Sequence, residues 1–290
     1  MKRIFLFLIA LGALSACDYI DDPIEGGTGP VGPCNIPQTL FKGDSVQRNA
    51  LVEDYTGHRC NNCPRASQAI KDIQQALPGA SVPVAVHAGP SNFTAPDPPD
   101  YPTDFRTPEG EELRGFFRID DFGLPTGMVS RQDFTGQGIG HLSLFNEWSS
   151  KVSSVSSEAA PLAIDLRVGY DSTTRQLCGS ATTRYLSNEA SSTFICFWLC
   201  EDKIIAPQKM PDQSRNATYE HNNVFRVALN NTFGQEVSPG GGMNGDAFET
   251  EFDLSIDAAY VAKNCKLVAF VYRSDDQEVL QAEEVYLSDL

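Results

Sequence analysis

Residues 51–64 of the chain read LVEDYTGHRCNNCP, and this stretch decides the predicted fold of the first half. An apolar, strand-like run ends at Gly57, and two cysteines, Cys60 and Cys63, follow with two residues between them. Thiols at this spacing can form and break a disulfide with little backbone movement. The pattern therefore predicts a cysteine pair at the end of a strand.

A helix is predicted directly after the two cysteines. Apolar residues recur at helical spacing and the pattern stops at Pro78-Gly79; these residues are Ala66, Ile70, Ile73 and Leu77. Cys60 is then expected near a helix N-terminus, where the aligned peptide dipoles and the neighbouring Arg59 lower a cysteine pKa. Cys60 is the candidate nucleophile.

Together with the cysteine pair, two further features resemble the thioredoxin superfamily. Asp54 lies six residues before Cys60, where thioredoxins have a buried acid, and the sequence FGLPT at 122–126 is similar to their cis-proline loop. The resemblance implies an α/β thioredoxin-like domain with Pro125 as the cis residue. It also implies that Cys60 attacks a substrate disulfide, that Cys63 resolves the mixed disulfide, and that Asp54 exchanges protons with Cys63.

Three departures from the thioredoxin pattern leave a second interpretation open. Arg59 stands where thioredoxins have Trp, Asn61-Asn62 replaces Gly-Pro, and Pro64 follows the second cysteine. Residues around such a pair reset its reduction potential over more than ~100 mV. The pair is therefore either redox-active or a static disulfide in a binding protein, and the sequence leaves enzymatic activity undecided.

The first residues predict export and lipidation. Lys2 and Arg3 precede an apolar run over 4–16 that is too short to span a bilayer but fits a secretory signal. The run ends in LSAC at 14–17, which is similar to the lipobox of bacterial lipoproteins. We expect residues 1–16 to be the signal peptide and Cys17 to carry the lipid, with a plain signal peptide as the alternative.

Residues 17–40 are predicted to be a tether, since they are acidic and then rich in Gly and Pro. Acidic residues directly after Cys17 resemble a surface-export signal of Bacteroidetes-type lipoproteins. The whole chain has 22 basic and 38 acidic residues and a formal charge of −16. Because no Lys and Arg cluster is present to meet phosphates, nucleic acid is not an expected partner.

The remaining chain predicts two domains that meet near residue 155. Over 41–155 strand and helix patterns alternate, which predicts the α/β domain. Over 156–290 period-two patterns with turn-rich joints predict an all-β sandwich of the immunoglobulin-like type. The strand candidates of the first region are Ala50–Tyr55, Val82–His87 and Gly127–Arg131, and its helix candidates are Pro64–Leu77, Gly110–Phe117 and Ile139–Val155. Those of the second region begin at Leu162 and continue with Gln176–Leu186, Thr193–Cys200, Phe248–Ile256, Lys266–Tyr272 and Val279–Leu287.

The mature chain also resembles the outer membrane protein 28 family, lipoproteins of Bacteroidetes. The resemblance is carried by EDYTG at 53–57 with the cysteine pair, HAG at 87–89, PTG at 125–127 and YEHNNVFR at 219–226. It implies an outer membrane lipoprotein, periplasmic or surface-exposed, held to the membrane by its lipid. Partners would be envelope or host proteins that the sequence does not identify.

Beyond Cys17 and the pair, five cysteines remain in an oxidising compartment. If 187–192 is a hairpin turn, Cys178 falls nearly opposite Cys200, and we predict this pair as a structural disulfide. The alternative is that all five are buried thiols. The partners of Cys34, Cys196 and Cys265 stay open.

Three further features of the sequence also have simpler interpretations. His58 and His87 could join the cysteine pair in a zinc site, but only one ligand-bearing turn is visible, so no metal or cofactor is predicted. His141 and His221 have no partner motif and are expected to be surface or hydrogen-bonded residues. The loop Pro90–Pro108 follows a strand end, where it either overhangs the cysteine pair or serves as a spacer.

Overall fold

The structure, a computed structural model, describes residues 34–136 and 141–290. The predicted signal peptide, Cys17 and most of the predicted tether lie outside these residues. In the first half the strands are β1 (Thr39–Phe41), β2 (Ala50–Tyr55), β3 (Ser81–Val86) and β4 (Thr126–Val129). The helices are α1 (Cys63–Ala76), α2 (Ser91–Thr94), α3 (Pro108–Phe116) and α4 (Trp148–Ser156).

The three strands and three helices predicted for the first half are present as β2, β3, β4, α1, α3 and α4, whereas β1 and α2 were not predicted. α1 begins at Cys63, with Pro64 in its first turn, and buries Ala66, Ile70 and Ile73 against Ala50 and Val52 of β2. The predicted helix over 139–155 begins later, since α4 starts at Trp148 after a short 3-10 turn and residues 139–140 lie outside the described ranges.

The second half consists of strands joined by turns. Their bounds are β5 (Leu162–Asp171), β6 (Gln176–Tyr185), β7 (Thr193–Glu201), β8 (Ile204–Lys209), β9 (Arg215–His221), β10 (Val224–Ala228), β11 (Gln235–Ser238), β12 (Ala247–Ser255), β13 (Cys265–Arg273) and β14 (Val279–Tyr286). The strands predicted from period-two patterns are confirmed. β8 to β11 were not predicted, because their apolar alternation is weak.

Two sheets pack face to face in this half. The smaller sheet has the order β1-β5-β6-β12, and the larger sheet has the order β14-β13-β7-β10-β3-β2-β4, with β11 beside β7. One buried cluster joins Leu162, Ile164 and Leu166 of β5 to Phe197 of β7 and Leu267 of β13. The described chain is therefore mostly β-sheet, with few helices and a sandwich-like core, as predicted for the second half.

The larger sheet contains strands from both sides of residue 155. β10 runs parallel to β3, where Val224 pairs with Ala85, and the Ala85 N–H donates to the Asn223 carbonyl at 2.7 Å. β2 then pairs in parallel with β3 and antiparallel with β4. The first-half strands thus extend the sheet of the second half by backbone hydrogen bonds. The boundaries 41–155 and 156–290 remain a prediction.

The predicted Cys178–Cys200 disulfide is wrong. Cys178 is bonded to Cys34, with a Cα–Cα distance of 5.6 Å, while Cys200 is a buried free thiol. The prediction assumed a hairpin between β6 and β7, but these strands belong to different sheets. Cys196 and Cys265 are also buried free thiols, which agrees with the alternative interpretation for those three residues.

None of the helices in the two described ranges combines the length and the apolar character that crossing a membrane requires.

Candidate functional site

Cys60 and Cys63 are joined by a disulfide in the turn between β2 and α1. Their Cα atoms are 5.5 Å apart, and the Cys63 N–H donates to the Cys60 carbonyl at 3.3 Å. Cys60 therefore precedes the helix by three residues, while Cys63 opens it. The two residues are only 2% and 1% exposed, although Asn62 between them faces solvent. In this state both sulfur atoms are closed to reagents.

Asp54 lies beneath the first turns of α1. Side chains alternate along a strand, so Asp54 shares the face of β2 from which Ala50 and Val52 contact the helix. Asp54 is completely buried, and neither carboxylate oxygen has a hydrogen-bond partner among the described residues. Burial raises its pKa to about 8, which keeps the carboxyl protonated at neutral pH.

A polar cavity of about 140 Å³ connects Asp54 to the second half of the chain. Ser67 and Ile70 of α1 line it together with Asp54. The other half contributes a set of polar side chains to the same cavity, which are Asp202, Glu220, Asn222, Asn223 and Tyr286. A cavity with this lining can hold water, and so it can carry protons to a buried carboxyl.

Pro125 lies directly before β4, beside the end of β2. The Leu124–Pro125 peptide bond is cis, as predicted, and the next residue, Thr126, pairs with Tyr55 at the end of β2. Pro125 is buried, like the two cysteines. The four predicted site residues are thus brought to one end of the β2–β4 sheet region, all of them shielded from solvent.

The Arg59 side chain binds residues of the loop Pro90–Pro108. Its guanidinium forms an ion pair with Asp97 at 2.8 Å and donates to the Ala95 carbonyl at 3.3 Å. Both partners belong to the loop Pro90–Pro108, and the Arg59 N–H donates to Phe93 in the same loop at 3.0 Å. The loop therefore contacts the disulfide turn directly, as one of its two predicted roles requires.

A hairpin formed by β8 and β9 covers the disulfide turn, and we call it the capping hairpin. The Gln208 side-chain amide donates to the Cys60 carbonyl at 3.0 Å and to the Gly57 carbonyl at 3.4 Å. The Lys209 N–H donates to the His58 carbonyl at 2.8 Å. Sequence reasoning missed this hairpin, because it lies almost 150 residues from the turn that it contacts and only nonlocal pairing places it there.

Three histidines lie close together where the capping hairpin contacts the first half, with His221 on the hairpin itself. We call His58, His87 and His221 the histidine cluster. The Phe105 ring lies among them, with centroid distances of 5.7, 4.5 and 4.7 Å to these three rings in that order. His221 was expected to be a surface or hydrogen-bonded residue; it is hydrogen-bonded to the backbone of Ala206 and Pro207 and is buried within this cluster rather than at the surface. No set of three or more His, Cys, Asp or Glu side chains in the described ranges is grouped to hold a metal ion.

Burial keeps the cluster neutral. Both ring nitrogens of His58, Nδ1 of His87 and Nε2 of His221 have no hydrogen-bond partner among the described residues. Burial, as the largest cause, lowers the pKa of His58 and of His221 to about 4, and it lowers the pKa of His87 well below its usual value. A proton on any of these rings would be held in a poorly solvated site.

Comparison with known proteins identifies the family. The family profile described as outer membrane protein Omp28 matches residues 118–289, a range that begins after the cysteine pair. A crystal structure of a domain of the outer membrane lipoprotein Omp28 from Porphyromonas gingivalis is similar at 22% identity, with a TM-score of 0.31; the match covers 43% of this chain and 87% of that chain. No curated protein matches. Because the profile covers more than half of the chain, the chain belongs to the Omp28 family of outer membrane proteins and is located at the outer membrane, as its motifs predict.

Proposed function

We propose that this chain is a lipid-anchored thiol–disulfide exchange protein of the outer membrane. Its thioredoxin-like region, 41–155, would carry the exchanging pair Cys60 and Cys63. The order of β2, α1, β3 and β4, with a cis-proline directly before β4, supports this assignment. The observation that carries the proposal is the buried, unpartnered carboxyl of Asp54 under the helix that Cys63 opens.

A buried carboxyl without a partner does not stabilise a structural disulfide. Burying a polar group without a hydrogen-bond partner costs about 1–3 kcal/mol in proteins, and burying its ionised form costs more. An apolar residue at position 54 would contact α1 without that cost. A protonated acid beside a cysteine pair is useful when a thiolate must be protonated or a thiol deprotonated. Asp54 therefore favours exchange chemistry over a static bridge.

The chemistry is a two-electron exchange with a substrate dithiol. A substrate thiolate attacks the Sγ atom of Cys60, the Cys60–Cys63 bond breaks, and Cys63 leaves as a thiolate that Asp54 protonates. The second substrate thiolate then displaces Cys60 from the mixed disulfide. The substrate is oxidised to a disulfide, and the protein pair is reduced to two thiols, with the departing Cys60 thiolate taking its proton from water. In the reverse direction the Cys60 thiolate attacks a substrate disulfide and Asp54 accepts the proton of Cys63.

A second candidate function is binding of envelope or host proteins on a redox-inactive scaffold. The observation that favours it is the burial of both sulfur atoms beneath the capping hairpin. In that case the strand-rich region 156–290 would supply the binding surface and Cys60–Cys63 would only fasten the turn.

An adduct experiment separates the two candidates. The Cys63→Ala protein is incubated with glutathione disulfide, and the adduct is located by mass spectrometry of peptides. Exchange chemistry predicts a glutathione adduct on Cys60, faster than on the buried thiol of Cys200, whose pKa burial raises strongly. The matched control, Cys60→Ala, should leave Cys63 unmodified. Equal and slow labelling of Cys60 and Cys200 would favour the binding scaffold.

The lipid anchor is proposed for Cys17. A fatty acid with an alkyne tag is supplied to growing cells, and the purified protein is tested for the tag. We expect the wild-type chain to be labelled and to stay with outer membranes. The Cys17→Ala chain should lose the label, and labelling of that variant would place the lipid elsewhere.

A further inference from the structure

The capping hairpin is connected to the larger sheet through its stem, where Ala206 also packs in one apolar cluster with Val224 of β10. β8 and β9 pair with each other and form a two-stranded sheet of their own. Asp202-Lys203 links it to β7 and Asn222-Asn223 links it to β10. Both links turn sharply, with φ of 60° at Lys203 and at Asn223. A swing about these two links would leave the pairing of β7 with β10 and β13 in place, while Asn223 itself is held to the sheet by bonds from the Ala85 N–H to its carbonyl and from Lys266 Nζ to its side chain.

Its polar contacts with the first half reach the surroundings of the disulfide. Gln208 and Lys209 hold the turn, and the Tyr219 hydroxyl is hydrogen-bonded to Ser67 in the second turn of α1. Arg215 donates to the Asp100 carbonyl at 2.8 Å in the Pro90–Pro108 loop. Swinging the hairpin away would uncover the disulfide turn and this loop together.

The histidine cluster lies in the contact that such a movement would break. His221 belongs to the hairpin, whereas His58 lies in the disulfide turn and His87 follows β3. The charged groups that face the cluster are mostly cationic. Arg59, Arg106 and Asp104 act on His58, Arg226 acts on His87, and the histidines act on one another. Protons taken up here would therefore repel one another and the neighbouring arginines.

We propose that the capping hairpin is a lid over the Cys60–Cys63 disulfide, and that proton uptake by the histidine cluster opens it. The role of the lid in gating exchange rests on the function proposed above, but its opening does not. Closed, the lid shields the sulfur atoms from thiols. Open, it exposes them on the side where the cis-proline loop lies.

The sign of the pH dependence follows from the direction of the shifts. In the closed state the histidine pKa values lie below the ordinary value of 6.5, so the closed state binds fewer protons than the open state. The lid is then most stable above pH 6.5 and loses stability as pH falls from 6.5 towards 4. Between pH 7.5 and 5.5 each histidine released to water raises the ratio of open to closed protein about tenfold.

Hydrogen exchange measures the opening without any redox reaction. The oxidised full chain is exchanged at pH 7.5 and 5.5, and the rates of the 204–221 amides are divided by their intrinsic rates to give protection factors. We expect protection of the hairpin to fall by about tenfold or more at pH 5.5, while protection of β13 stays unchanged. Equal hairpin protection at both pH values would overturn the proposal.

Variants assign the effect to the cluster. His221→Phe keeps an aromatic ring against Phe105 and should shrink the fall in protection about tenfold; His221→Gln is the alternative if the phenylalanine variant does not fold. Gln208→Ala should lower protection at both pH values while the pH effect persists. An unchanged pH effect in the His221 variants would overturn the role of the cluster.

Reactivity of the disulfide completes the test. In the open state a phosphine should reduce Cys60–Cys63 faster, so Gln208→Ala should be reduced faster than the wild type at pH 7.5. Suppose that hairpin protection falls with pH and that Cys60 still forms no adduct with glutathione disulfide in the Cys63→Ala protein. This result would support the lid proposal and contradict the exchange function. If the adduct forms while hairpin protection is unaffected by pH, the lid fails and the exchange function stands.

Discussion

At the scale of single residues, Asp54 combines complete burial with two carboxylate oxygens that lack a partner among the described residues. Its raised pKa, about 8, is a consequence of that burial. Another buried carboxyl, that of Glu53, lies on the opposite face of the same strand and has hydrogen-bond partners. Glu53 forms two hydrogen bonds with the Arg131 guanidinium, at 2.8 and 2.9 Å. One strand thus holds a carboxyl without a partner under the helix and a carboxyl bound to an arginine in the other layer.

Asp54 should lower the free energy of unfolding increasingly as pH rises. Because its pKa is raised above the unfolded value of 3.8, folding is disfavoured progressively as pH rises from 3.8 to about 8, by about 1.4 kcal/mol per pH unit. We expect Asp54→Asn to remove this slope, so that its stability relative to the wild type rises by about 4 kcal/mol between pH 5 and pH 8. Denaturant unfolding of both proteins at pH 5 and pH 8 tests this. A constant difference at the two pH values would contradict the raised pKa.

Glu53 should behave in the opposite way. Replacing it by Gln leaves Arg131 as a buried charge among aromatic rings, so Glu53→Gln should lose about 3–5 kcal/mol of unfolding free energy at pH 7. The exposed pair Arg118 and Asp121 supplies the control, since Asp121→Asn should change stability by less than about 1 kcal/mol. Similar losses in the two variants would show that burial does not determine how much the Glu53–Arg131 ion pair contributes to stability.

At the scale of elements, local sequence signals predict the helices and long strands well. The spacing of Ala66, Ile70 and Ile73 with Pro64 before them predicts α1, and the alternation from Leu162 predicts β5. Such signals contain no information about which strands become neighbours. The wrong Cys178–Cys200 bridge arose in this way, since both strands were predicted but were assigned to one hairpin. The capping hairpin and the position of His221 depend on the same nonlocal pairing.

The Cys34–Cys178 disulfide fixes the chain just before β1 to β6. It joins residues 144 apart, so chain entropy predicts a contribution of about 5 kcal/mol, against about 2 kcal/mol for the short loop of Cys60–Cys63. We expect the double variant Cys34→Ala, Cys178→Ala to lose more stability than Cys60→Ala, Cys63→Ala. Chemical unfolding of the two double variants decides, and a larger loss in the second would contradict this account.

At the scale of the whole molecule, buried polar contacts add to the shared sheet in joining the two halves. The Arg48 guanidinium, before β2, forms ion pairs with Glu158 and Glu278, both at 2.6 Å. The cavity and the histidine cluster take residues from both sides of residue 155, and the capping hairpin of the second half contacts the disulfide turn of the first half. The sequence predicted the site residues of the first half but not the hairpin that covers them, so the site is more closed than its motifs alone indicate.

This arrangement predicts that the two halves unfold together. The chain has two tryptophans, Trp148 in α4 and Trp198 in β7, which report separately on the two halves. Two single-tryptophan variants, Trp198→Phe and Trp148→Phe, each keep one of these probes. In each variant, unfolding followed by tryptophan fluorescence should coincide with unfolding followed by circular dichroism. A fluorescence transition of Trp148 that clearly precedes the loss of strand signal would show that the first half unfolds on its own.

The most direct test of the exchange function is the reduction potential of Cys60–Cys63, measured by equilibrium titration in thiol redox buffers. Equilibrium removes any effect of the lid on rate, and the Cys60→Ser protein isolates this pair from Cys34–Cys178. The account predicts a potential between about −120 and −270 mV, the range of exchange proteins with this motif. A potential below about −300 mV would mark a structural disulfide and contradict the proposed function.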